Sequence, residues 1–132
     1  MEIFYNQQEL SKVKNLKINI SLKNLFSLKN IKIKDVIIEN ASFNLNKDNQ
    51  NIFLKILQNN FKDFSLKILS SNIFFKNSKN EVLFINKILN MKYFYDSNDF
   101  KNKINSKNEI FNIPYEIEFF DDKDQKKIFT NV

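Results

Sequence analysis

The sequence predicts a mostly-β chain, α+β in class, with one short helix near 51–61. Three observations lead there. Long stretches place an apolar residue at every second position, one segment alone shows sustained helical spacing, and polar clusters separate the two kinds of pattern. In Leu16-Lys17-Ile18-Asn19-Ile20-Ser21-Leu22 the alternation is unbroken. Strand side chains point to opposite faces in turn, so this segment has one greasy and one wet face. A helix would scatter Leu16, Ile18 and Ile20 around its circumference.

Leu22, Leu25 and Phe26 then fall at helical spacing and predict a single turn. Ile31 to Ile38 resumes strand character, with a phase slip at Asp35 that reads as a bulge. A second slip at Glu39-Asn40 leads into Ala41-Ser42-Phe43-Asn44-Leu45, which alternates again. Asn46 to Asn51 is polar and reads as a loop. Phe53, Leu54, Ile56, Leu57 and Phe61 recur at helical intervals and define the helix.

Phe64, Leu66 and Ile68 open a strand that runs on to Phe75, and Lys76 to Asn80 forms a polar turn. The return strand, Glu81 to Tyr95, shows Leu83, Ile85, Leu89, Met91, Tyr93 and Tyr95 on one parity, with Lys87 interrupting. At the usual rise it spans about 50 Å. Residues 96–109 read as a polar connection with one weak helical turn near Phe100. Ile113, Tyr115, Ile117 and Phe119 alternate in a further strand. Pro114 lacks a backbone N–H and so belongs at a strand start or on an edge. Asp121 to Lys127 is a charged turn, and Ile128 begins a return strand that stops in mid-pattern. The whole, 1–132, reads as a single segment of a β-rich domain, truncated at its C-terminus.

Composition narrows the chemistry. The 132 residues include no Gly, Cys, His or Trp, one proline (Pro114) and one alanine (Ala41), and all 21 basic residues are lysine. Lys, Asn, Ile, Phe and Tyr are the residues of AT-rich codons, so their abundance speaks first of base composition. Without glycine no phosphate-cradling loop of the P-loop or dinucleotide kind can form. Without His or Cys there is no ordinary zinc site, no thiol nucleophile and no serine–histidine triad. The 15 carboxylates are scattered through polar stretches rather than paired. These features predict a protein that is not an enzyme and takes no cofactor and no metal.

The net charge of +6 raises nucleic acid as a partner. Most lysines of the densest basic stretch, Lys12 to Lys34, alternate with strand apolar residues and so belong to a solvent face. Arginine, the side chain best suited to bidentate phosphate and base contacts, is missing. No specific nucleic-acid partner is expected, and a weak basic binding module remains only an alternative. The start, MEIFYNQQEL, has no signal-peptide pattern, and the longest apolar run, Val82 to Ile85, is far short of a membrane span.

The run Glu9-Leu10 … Val13 … Leu16-x-Ile18-x-Ile20-Ser21-Leu22 … Leu25-Phe26 … Ile31-x-Ile33-x-x-Val36-x-Ile38-Glu39-Asn40-Ala41-x-Phe43-x-Leu45 resembles the N-terminal region of AsmA-like proteins. Asn40-Ala41 stands where the family usually has Gly or Pro. The resemblance covers about the first third of the chain. It implies a segment of a cell-envelope protein of bridge-like lipid-transfer type, anchored to the inner membrane and lying in the periplasm of Gram-negative bacteria. It further implies an elongated, curved, largely antiparallel sheet forming an open apolar trough rather than a closed barrel. The expected partners are phospholipid acyl chains and the remainder of the parent protein, with membrane contact only through an anchor that this chain lacks. The candidate groove residues are Leu16, Ile18, Ile20, Leu22, Ile31, Ile33, Phe43, Leu45, Leu66, Ile68, Leu83, Ile85, Leu89, Met91, Ile113, Tyr115, Ile117 and Phe119. Two other readings fit the same pattern: an ordinary β protein whose apolar faces are packed dry, and a β-rich adhesin- or phage-like structural module that associates through strand edges.

Overall fold

The computed structural model describes residues 1–22, 31–57, 62–121 and 126–131. Among these residues eight strands and one helix follow each other: β1 (Glu2–Tyr5), β2 (Gln8–Leu22), β3 (Ile31–Leu45), α1 (Gln50–Leu57), β4 (Ser65–Lys76), β5 (Val82–Asp96), β6 (Lys101–Ile110), β7 (Ile113–Asp121) and β8 (Lys126–Asn131). All eight strands lie in one sheet in sequence order, and the sheet does not close into a barrel. Every neighbouring pair is antiparallel except β3 and β4. That pair is parallel because the chain leaves the end of β3, passes through α1 and returns to the opposite end before β4 begins.

The period-two segments became strands and the helical segment became α1. The expected turn at Leu22–Phe26 lies outside the described residues beyond Leu22, which ends β2, as do positions 58–61 of the expected helix and 122–125 of the charged turn. Lys126 and Lys127 already belong to β8. Pro114 pairs with Glu109 on β6, while β8 reaches only to Glu116, so the missing N–H withdraws nothing from the β7–β8 ladder.

Two elements differ from expectation. Residues 96–109 are not a polar connection: most of them form β6, whose inward row is Ile104, Ser106, Asn108 and Ile110. Two of those four are small and polar, so the alternation of hydropathy that marks the other strands is hidden here. The N-terminus adds β1, joined to β2 by a two-residue turn in which Asn6 (φ 48°) and Gln7 (φ 64°) are both left-handed. Phe111 (φ 50°) and Asn112 (φ 61°) repeat that geometry between β6 and β7. Paired positive φ values match the right-handed twist of the flanking strands, which is why such turns close tight hairpins.

A line of irregularity crosses the sheet. Asn40 (φ 53°) in β3 lies beside Ser70 (φ 48°) in β4, and the β5–β6 register slips at Leu89, which opposes Ser70. The expected slip at Glu39-Asn40 falls on this line. The slip at Asp35 is a separate bulge, in which Lys34 is the extra residue between the pairs Asn19–Asp35 and Ile20–Ile33. At the kink Ser71, 1% exposed, ties the strands together. Its hydroxyl accepts from the Ala41 N–H at 3.0 Å and donates to the Leu69 carbonyl at 2.8 Å.

Candidate functional site

Register sorts the side chains into two faces, because residues directly opposite in a ladder share a face. One row reads Ile18, Val36, Leu66, Tyr93, Ile104 and Phe119 across β2 to β7. The next reads Leu16, Ile38, Ile68, Met91, Ser106 and Ile117. Beyond the kink the same face continues as Phe43, Ile73, Asn86, Ile110 and Ile113, with Leu45, Phe75 and Phe84 after it. On the other side of the sheet lie Lys17, Ile37, Lys67, Lys92, Asn105 and Glu118, then Glu39, Leu69, Asn90, Lys107 and Glu116, a mainly polar face. Cross-strand ion pairs cover that polar face: Lys17–Glu39 at 2.9 Å, Lys87–Glu109 at 2.6 Å and Lys107–Glu116 at 3.2 Å.

The structure therefore gathers most of the sequence-predicted groove residues onto one face: Leu16, Ile18, Ile20, Ile31, Ile33, Phe43, Leu45, Leu66, Ile68, Met91, Ile113, Tyr115, Ile117 and Phe119. Leu22 pairs with Ile31 and continues the same parity. Three residues do not join them. The expected single parity from Leu83 to Tyr95 breaks at Leu89, so that Phe84, Asn86 and Ile88 turn inward while Leu83, Ile85 and Leu89 are left 61%, 41% and 49% exposed on the other side. Lys87, an interruption in the sequence pattern, is simply a member of that outer row.

The apolar face divides into a covered and an uncovered part. The β3–β4 crossover lies over the middle of it: Phe53 meets Phe43 edge-on at 6.4 Å, and Lys62 sits 5.3 Å above the Tyr95 ring. Phe64 packs with Leu66, Met91 and Phe119 around Tyr93 and Ile104, which are 2% and 8% exposed. Where β2 runs from Leu16 to Ile20 and β3 from Ile31 to Ile33, nothing among the described residues covers the face, and Leu16, Ile18, Ile20, Ile31 and Ile33 are each between 41% and 54% exposed.

Sequence reasoning missed the polar members of the covered part. Asn86, Ser106 and Asn108 are all at least 93% buried. Ser106 donates to Asn108 Oδ1 at 2.9 Å, and the Tyr115 hydroxyl donates to Asn86 Oδ1 at 2.8 Å. Burial pushes the Tyr115 phenol up from its ordinary value, against the smaller opposing effect of the Asn86 bond. No signal in an Asn-rich chain separates these buried amides from the solvent-facing ones. Among the described residues no helix is long and apolar enough to cross a membrane, and no three acidic side chains converge as a metal site would need. No family model matches the chain, and no curated protein or solved structure is significantly similar to it.

Proposed function

We propose that this chain is a non-catalytic segment of an AsmA-like cell-envelope protein and that its apolar face receives lipid acyl chains. The observation that carries the reading is the uncovered flank on β2 and β3, where five large aliphatic side chains stay 41–54% exposed on one face of a single-layer sheet. An acyl chain laid along that flank leaves water at about 0.8 kcal/mol per buried CH₂. The aliphatic side chains offer surface without choosing a head group, which suits bulk lipid movement toward the outer membrane better than capture of one ligand. Periplasmic placement and anchoring to the inner membrane belong to the same proposal and rest on the remainder of the parent protein.

Photo-crosslinking in cells expressing the full-length parent tests it. Probes at positions 18 and 117, on the apolar face, should capture lipid, while a probe at 85, on the opposite face, should not. Equal labelling at all three positions, or none at 18 and 117, defeats the reading.

A further inference from the structure

Among the described residues, the outer edge of β2 continues well past its neighbour β1. β1 pairs with β2 only from Gln8 to Lys12, and Met1 closes the ladder at Val13 through bonds of 2.7 and 2.8 Å. From Lys14 to Leu22 no strand among the described residues lies on that side, while the inner side is paired with β3 almost throughout. Every second residue of such an edge turns its N–H and C=O outward, with no ladder partner among the described residues, over about 30 Å of strand. Lysines commonly guard such edges. Here the central one, Lys17, is drawn inward to Glu39 at 2.9 Å.

We propose that this edge pairs with the same edge of a second copy of the chain, antiparallel and centred on Ile18. From Asn15 to Ser21 the sequence of the edge is complementary to its own reverse in that register. On the apolar face Ile18 meets the partner's Ile18, and Leu16 meets the partner's Ile20. On the polar face Lys17 meets the partner's Asn19, and Asn15 meets the partner's Ser21. No lysine opposes a lysine. A register one residue away would put apolar residues against polar ones on both faces, and centring on Lys17 would oppose two like charges. The pairing is isologous and closes at two copies. It joins two sheets into one and lets the uncovered aliphatic flanks of β2 and β3 run on from copy to copy.

This inference stands apart from lipid binding, so its test is made on purified chain in lipid-free buffer. The native chain has no cysteine, which leaves single-cysteine variants without background. Directly opposite residues in an antiparallel pair lie within disulfide reach. Ile18→Cys should therefore cross-link to itself under mild oxidation. Leu16→Cys and Ile20→Cys should each form no cross-link alone and cross-link when mixed. Ile18→Lys, at a position already half exposed, should keep the far-UV spectrum and melting behaviour of the native chain and shift a sedimentation profile from dimer to monomer. A native chain that is monomeric throughout a concentration series, or self-cross-linking as strong at 16 and 20 as at 18, overturns the pairing.

Discussion

Asn6, Gln7, Asn40, Ser70, Asn80, Phe100, Phe111 and Asn112 occupy the left-handed backbone region in a chain that has no glycine to place there. Asparagine fills half of these positions because its short amide bonds locally and tolerates that region better than other residues. In the β4–β5 turn a second asparagine supports such a position from outside it. Asn77 Oδ1 accepts from the N–H groups of Lys79 and Glu81, both at 2.9 Å, and Asn80 takes φ 65°. Gln7 is exposed and lacks that advantage, so Gln7→Gly is expected to raise stability by about 0.5–1 kcal/mol in a urea titration. At the kink the reverse holds: Ser71→Ala strands the buried Ala41 N–H and should cost about 1–3 kcal/mol in the same measurement. The Ser65 hydroxyl donating to Asp35, helped by Lys67 at 3.6 Å, holds that carboxyl below the usual carboxylate range. A lowered folded pKa gives stability that is complete above about pH 4 and lost as pH falls through the lower folded value. Denaturant midpoints of Asp35→Asn should therefore fall less steeply with acid than those of the native chain, the two converging at the acid end.

Among the elements, α1 depends most on its entry. Asn46 and Asn49 each accept from the other's backbone N–H at 2.9 Å, and Asn49 Nδ2 reaches the Asn44 carbonyl at 2.8 Å. Asn49 is 3% exposed, which makes it the fixed point from which the crossover departs. Asn49→Ala should cost about 1–2 kcal/mol and loosen α1 before the sheet, read as faster amide exchange across residues 50–57. The lysine pairs of the polar face contribute far less singly, because exposed ion pairs are each worth under about 1 kcal/mol. Their larger effect is on register, since each fixes which residues of two long strands stand opposite.

For the molecule as a whole, the division of the apolar face separates stability from surface function. A charge at Ile104, 8% exposed against Tyr93, has no route to water and should unfold the sheet at a cost of several kcal/mol. A charge at Ile18, 54% exposed, should be nearly neutral for folding. Thermal melts of Ile104→Asp and Ile18→Asp check this directly: the first should lose its cooperative transition and the second should keep it. If both unfold alike, the β2–β3 flank is part of a dry core, and the lipid-receiving surface goes with it.

Period-two alternation by itself determined most of the strands and the apolar membership of β2, β3, β4 and β7, because burying one face of a pleated strand needs nothing beyond that pattern, and helical spacing alone marked α1. It also marked the bulge at Asp35 and the break at Asn40, where apolar parity visibly shifts. Tertiary structure alone decided the rest. The inward row of β5 changes parity at Leu89 because that residue faces the kink at Ser70 in another strand, and Leu83, Ile85 and Leu89 therefore left the face that their spacing had promised. β6 was illegible because Ser106 and Asn108 are buried among large neighbours rather than by their own hydrophobicity. The covering of Tyr93 and Ile104, and the exposure of Ile18 and Ile33, follow from where a parallel crossover lies across the sheet. A local pattern records which side of a strand is apolar, but not what comes to rest upon it.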